Sequence, residues 1–130
     1  MAVELNHTIV HSHDKHESAA FLAHILGLEA GAEWGPFVPL DLSNGVTLDF
    51  ADAPAQSIVT QHYAFLVTEE EFDGIFQRLQ DGGITYYAEP HGRRPGEINR
   101  NDGGRGVYFM DPAGHGMEAI TRPYGSGDPQ

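Results

Sequence analysis

Three side chains in this sequence have the types and placement to hold a catalytic metal. His7 sits in the apolar run Leu5-Asn6-His7-Thr8-Ile9-Val10, His62 in His62-Tyr63-Ala64-Phe65-Leu66-Val67, and Glu118 in Met117-Glu118-Ala119-Ile120. Two imidazoles and one carboxylate on a shared face make a facial triad for a divalent ion and leave coordination positions open. Open positions are what a catalytic metal needs, because substrate or oxygen must reach it. A lone His in an apolar run is more often a hydrogen-bonded core residue. Two at repeat-equivalent positions, with an acid in third place, favour the metal.

The elements that carry them look like a diverged internal repeat. His7 aligns with His62 at an offset of 55 residues, and at that offset Phe21 meets Phe76 and Gly27 meets Gly82. Each half reads as a strand, a helix ending at Gly, then three more strands. The first helix is expected over 15–26, capped by Asp14 and closed by Gly27. The second is expected over 69–80, where Thr68 and Glu71 resemble a capping box and Phe72, Ile75, Phe76 and Leu79 recur at helical spacing. Later strands are expected near 29–34, 37–42 and 46–50, then near 85–89, 106–111 and 116–121. Ser43-Asn44-Gly45 and Asp111-Pro112-Ala113-Gly114 supply hairpin turns. Leu48-Asp49-Phe50 also matches Met117-Glu118-Ala119, now at an offset of 69, so the second half carries about 14 extra residues. These fall in the loop 90–105. Strand alternation turns Thr47 and Asp49 away from the helix side. His7, His62, Asp49 and Glu118 are therefore expected to face one cavity. The whole chain reads as one domain, 1–130, with modules at about 3–52 and 58–122 and a loose tail at 123–130.

Composition narrows the function. A formal charge of −12 makes nucleic acid an unsuitable partner. The absence of cysteine removes disulfides and thiolate zinc sites. There is no signal-peptide pattern at the start and no apolar run of membrane-spanning length, so a cytoplasmic protein is expected. Sixteen Gly and eight Pro suit many short strands and turns.

Asn6-His7-Thr8, the strand-opening His62, and Phe109-Met110-Asp111-Pro112-Ala113-Gly114-His115-Gly116-Met117-Glu118 together resemble the vicinal oxygen chelate superfamily, the glyoxalase, bleomycin-resistance and extradiol-dioxygenase group. The resemblance covers nearly the whole chain. It implies an α+β fold of two βαβββ modules, forming a curved, cupped mixed sheet around a metal cavity with the helices outside. It also implies metal ligands on the first, fifth and eighth strands, here His7, His62 and Glu118, with Asp49 where some members place a fourth acid. Asp49 is a methylene shorter than the Glu usual in glyoxalases. A substrate contact is favoured for it over a fourth ligand or an acceptor behind the ligands. Extradiol dioxygenases carry an active-site Tyr at the spacing of Tyr108 from Glu118. The chain is also similar to small oxygenases of aromatic polyketide pathways, such as that of chartreusin, which connects it with antibiotic biosynthesis.

The expected function is an Fe(II)-dependent dioxygenase-type enzyme that cleaves a C–C bond in a phenolic or polycyclic aromatic substrate, with oxygen as the co-substrate. Tyr108 and His91 are the candidate acid–base groups. Trp34 and Phe37, beside Gly35-Pro36, are expected to form an aromatic wall. Arg93 and Arg100 belong to the long loop and could hold phenolate or carboxylate oxygens over the site. Two alternatives stand beside this. One is a Mn(II)- or Zn(II)-dependent glyoxalase-like isomerase or thiol transferase, with Ni(II) a further alternative to Fe(II) as the metal, and the other a metal-free drug-sequestering protein. The His11, His13 and His16 cluster reads as surface, His24 as exposed and His115 as structural. Chains of this length in the superfamily pair as homodimers, in some members by exchanging modules, so that one ligand comes from the partner.

Overall fold

The hydrogen bonds that close each helix are made by the residues the sequence marks for them. The structure is a computed structural model that describes residues 2–127. In α1 (Lys15–Leu26), Asp14 accepts from the N–H groups of His16 and Glu17 at 3.0 and 3.2 Å. Gly27, at φ 75°, turns the chain out of the helix, and its N–H and that of Leu28 return to the last carbonyls. In α2 (Glu69–Asp81), Thr68 Oγ1 accepts from Glu71 N–H at 3.1 Å while Glu71 Oε1 accepts from Thr68 N–H at 2.8 Å, a complete capping box.

The chain forms two compact units, one ending at Val59 and one beginning at Thr60. In the first, β1 (His7–Ser12), β3 (Thr47–Asp52) and β2 (Phe37–Asp41) form a sheet in the order β1-β3-β2. β1 runs parallel to β3, and β2 antiparallel. Leu22 and Ile25 of α1, with Val10, Leu40, Leu48 and Phe50 of the sheet, make its core. In the second, β4 (His62–Leu66), β7 (Gly116–Ile120), β6 (Gly106–Met110) and β5 (Tyr86–Tyr87) follow the order β4-β7-β6-β5. β4 is parallel to β7, and the other pairs are antiparallel. Phe72, Ile75 and Leu79 of α2 and Val107, Phe109 and Met117 of the sheet are among this unit's buried residues. Each such fully buried side chain contributes about 1.5–3 kcal/mol. Among the described residues no helix is long and apolar enough to cross a membrane.

The architecture is the expected α+β fold with two mixed sheets, but the first module is βαββ. The strand expected near 29–34 shrinks to a single bridge between Trp34 and Phe37. Two features explain this. Glu29-Ala30-Gly31-Ala32-Glu33 has no β-branched or aromatic residue to pack on a sheet. The β2 edge it would pair with contains Pro39, which has no N–H to donate, so only Gly31 N–H to Pro39 O, at 2.8 Å, is made. The strand expected near 85–89 is reduced to Tyr86–Tyr87. Beyond it Asn99, reaching back from the long loop, donates to Ala88 O at 2.8 Å and replaces ladder bonds. Of the loose tail expected over 123–130, residues 123–127 carry hydrogen bonds to Asp102 and Glu118, and 128–130 lie outside the described residues.

Candidate metal centre

The repeat is exact in register where chemistry is concerned. In the first unit Asp49 lies opposite Ile9, two residues beyond His7. In the second Glu118 lies opposite Ala64, two residues beyond His62. Each unit thus sets one His and one acid diagonally across a parallel strand pair, on the same face because the offset is even.

The two diagonals then differ. In the second unit the longer acid closes the gap, and His62 Nε2 stands 2.9 Å from Glu118 Oε1. Glu118 is 1% exposed, whereas the His62 side chain is 49% exposed. A buried carboxylate is costly unless paired or ligating. The geometry also suits an ion: two metal–ligand bonds of about 2.1 Å at a right angle set their donor atoms about 3 Å apart. Donor types and spacing therefore both fit a divalent metal. In the first unit His7 Nδ1 faces Asn6 Oδ1 at 2.8 Å, which leaves Nε2 as the ring nitrogen available for ligation. Among the described residues no three His, Asp or Glu side chains of one chain gather into a metal-holding group.

Tyr108 is the cross-strand partner of Glu118, and its ring stacks on His62 with centroids 6.0 Å apart. Its hydroxyl is 2.7 Å from that of Tyr124, which in turn donates to Glu118 Oε2. Burial, then its interactions with Tyr124 and with the Glu118 carboxylate, push the Tyr108 hydroxyl far above the usual phenol range. Burial and Glu118 raise Tyr124 as well. Both phenols therefore remain protonated donors at neutral pH. Tyr124 is a site residue that motif reasoning missed. The only signal was an isolated aromatic in a Gly- and Pro-rich end.

A cavity of about 470 Å³ opens on the first unit. His7, Trp34, Phe37, Asp41, Thr47 and Asp49 are among its lining residues. Trp34 and Phe37 meet at 5.4 Å across the Gly35-Pro36 turn, bonded backbone to backbone in both directions. Gly35, at φ 54°, makes that turn possible. Lys15 Nζ braces it through Glu33 at 2.6 Å and Pro36 O at 3.2 Å. Asp49 is 5% exposed at the cavity wall.

The long loop is arranged differently from the strands. His91, Arg93 and Arg100 are all exposed. Glu89 organises the loop's first turn by accepting from the N–H groups of His91 and Arg93. Burial works against those bonds, yet they hold the Glu89 carboxyl below its ordinary range. Arg105, also in this region, is tied to Glu69 and Asp73 and lies 4.5 Å over the Phe72 ring, a structural role. His115 is buried, with Nδ1 accepting from Gln61 N–H at 3.0 Å, and so fixes the start of β4 beside His62.

The fold and these residues define a class. The chain belongs to the vicinal oxygen chelate superfamily and is an enzyme of that group. It is 60% identical to oxidase ChaP-H2, over 98% of this chain and all of that one, with a TM-score of 0.95. To oxidase ChaP-H1 it is 56% identical, over 95% of this chain and 99% of that one, with a TM-score of 0.91. Glutathione transferase FosA of Serratia marcescens is 32% identical over 123 residues, which are 91% of this chain and 80% of that protein. A variant of the fosfomycin resistance protein FosX of Listeria monocytogenes, complexed with Mn(II), shares the fold at 21% identity and a TM-score of 0.71, over 95% of this chain and 93% of that one. No family profile matches the chain.

Proposed function

We propose that this enzyme is an Fe(II)-dependent oxygenase acting on a phenolic or polycyclic aromatic compound, and that it works as a homodimer. His62 and Glu118 of one copy and His7 of the other would hold the metal. The observation that carries this is the His62–Glu118 pair at 2.9 Å, two of three facial ligands with the acid fully buried. Kinship at 56–60% identity with two proteins named as oxidases supports oxidative chemistry over isomerisation. The two-unit repeat supports a third ligand from the first module of a second copy, since among the described residues the second unit by itself brings together two donors, His62 and Glu118.

When bound, the metal supplies Lewis acidity toward a phenol oxygen and, as iron, electrons for chemistry with oxygen. The rest falls to the chain. Trp34 and Phe37 hold the flat face of the ring system, and 470 Å³ is room for a molecule of several fused rings. Asp49 accepts from a substrate hydroxyl and orients it. Tyr108 is the candidate acid–base group beside the ligand pair, and His91 is the loop candidate for the same task. Arg93 and Arg100 can reach for a substrate carboxylate or phenolate from solvent. The FosA relative, named a glutathione transferase, favours one competing reading, a Mn(II)- or Zn(II)-dependent thiol transferase.

The test is metal analysis with a mixing experiment. Purified protein is expected to retain iron, and His7→Ala, His62→Ala and Glu118→Ala are each expected to lose it. Mixed His7→Ala and Glu118→Ala chains should regain one metal site per mixed dimer. Full metal in any single variant refutes the triad, and no recovery on mixing refutes the shared site. Tight Mn(II) with glutathione-dependent turnover would favour the transferase.

A further inference from the structure

The two oxygens of Glu118 have different partners. Oε1 faces His62 Nε2 at 2.9 Å, and Oε2 accepts the hydroxyl proton of Tyr124. Tyr124 has one proton and gives it to Glu118, so the 2.7 Å contact with Tyr108 is a hydrogen bond donated by Tyr108. The order is Tyr108 to Tyr124 to Glu118, and it ends on the oxygen that does not face His62.

Tyr124 is 59% exposed and sits outside any helix or strand, so core packing does not explain its place. A latch does. Asp102 Oδ1 accepts from Gly125 N–H at 3.2 Å and Gly127 N–H at 3.3 Å. Arg122 Nη2 donates to Ser126 O at 2.8 Å and closes the turn on itself. Asp102 adopts φ 57° in the Asn101–Gly103 turn, the one positive φ among the described non-glycine residues. Asp tolerates that conformation at a cost that the bonds to 125 and 127 offset. The approach is close: a Cβ added at Gly127 would stand 2.7 Å from Asp102 Cα, which only glycine avoids.

We infer that Tyr124 is a positioning residue for Glu118. Its hydrogen bond occupies Oε2, so the carboxylate offers a metal Oε1 alone, and the Asp102–Gly127 contact sets Tyr124 in place. A carboxylate with both oxygens free ligates through one or through both. Restricting it to one leaves a further coordination position for substrate. The inference rests on the metal reading above and extends it to a segment outside the ligand strands.

The test titrates metal-free protein with Co(II) and follows the visible bands of the bound ion, in wild type, Tyr124→Phe and Gly127→Ala. Losing a hydrogen bond to a ligand typically weakens metal binding ten- to a hundredfold. That loss, with altered Co(II) bands, is expected in both variants. Metal-free Tyr124→Phe should melt below wild type, since Oε2 of the buried Glu118 loses its donor, and circular dichroism checks that it is folded at the titration temperature before Co(II) is added. Tyr124→Phe binding Co(II) as tightly as wild type, with superimposable bands, overturns the inference. Weakening in Tyr124→Phe but not in Gly127→Ala overturns the latch. A wild-type protein that binds no Co(II) overturns the metal centre itself, a separate result.

Discussion

Glu118→Gln should reverse its effect on stability when metal is added. The substitution preserves shape: the amide oxygen can still accept from Tyr124, and the amide nitrogen faces His62 Nε2 at the present 2.9 Å. What it removes is a negative charge on a residue 1% exposed. Burying a carboxylate carries a desolvation penalty of up to several kcal/mol per ion, which a neutral amide of like volume avoids and which pairing offsets in the wild type. About 1–2 kcal/mol is expected here, because the half-exposed His62 compensates the charge only in part. Unfolding entropy near 2 cal/mol/K per residue over 130 residues makes 1 kcal/mol worth about 4 °C, so metal-free Glu118→Gln should melt about 4–7 °C above wild type. Metal at a hundred times its Kd should then stabilise wild type by about 2.7 kcal/mol, near 10 °C, and reverse the order, since the amide is a poor ligand. The assay is calorimetry in chelator and again with excess Mn(II) under identical buffer. A metal-free variant melting well below wild type would refute the reasoning, because it would make Glu118 a structural acid whose charge the fold requires.

Two further outcomes follow from single residues. Asp49→Leu should keep full metal while substrate KM rises, since Asp49 lines the first unit's cavity with a side chain one methylene shorter than Glu118; metal loss on inductively coupled plasma analysis would make it a fourth ligand instead. Asp111 is buried with Oδ2 unpartnered among the described residues, and burial raises its pKa above the ordinary 3.8. The folded chain therefore holds that proton more tightly than the unfolded one, and stability falls as pH rises from about 4 through the raised pKa. Asp111→Asn retains an oxygen for the N–H groups of Ala113 and His115, so its stability relative to wild type should grow across that window in urea unfolding; parallel curves would refute the assignment.

What the sequence determined by itself was local or periodic. Asp14, Gly27, Thr68 and Glu71 mark the helix ends because capping bonds span only two to four residues. The parity of Asp49 and the pairing of Tyr108 with Glu118 follow from strand alternation and one tight hairpin. The near-repeat of 55 residues placed His7 and His62 at equivalent starts of β1 and β4. Tertiary structure decided the remainder. The composition of 29–33 signals only a weak strand; that it shrinks to a bridge depends also on Pro39 on the facing edge. Tyr124 looked like part of a featureless end because its partners, Glu118 and the Asp102 that anchors its turn, lie 6 and 22 residues away and meet it only after β6 and β7 have paired. Capping and alternation are set by neighbours along the chain, whereas the second partner of a buried carboxylate is set by which distant segment packs beside it.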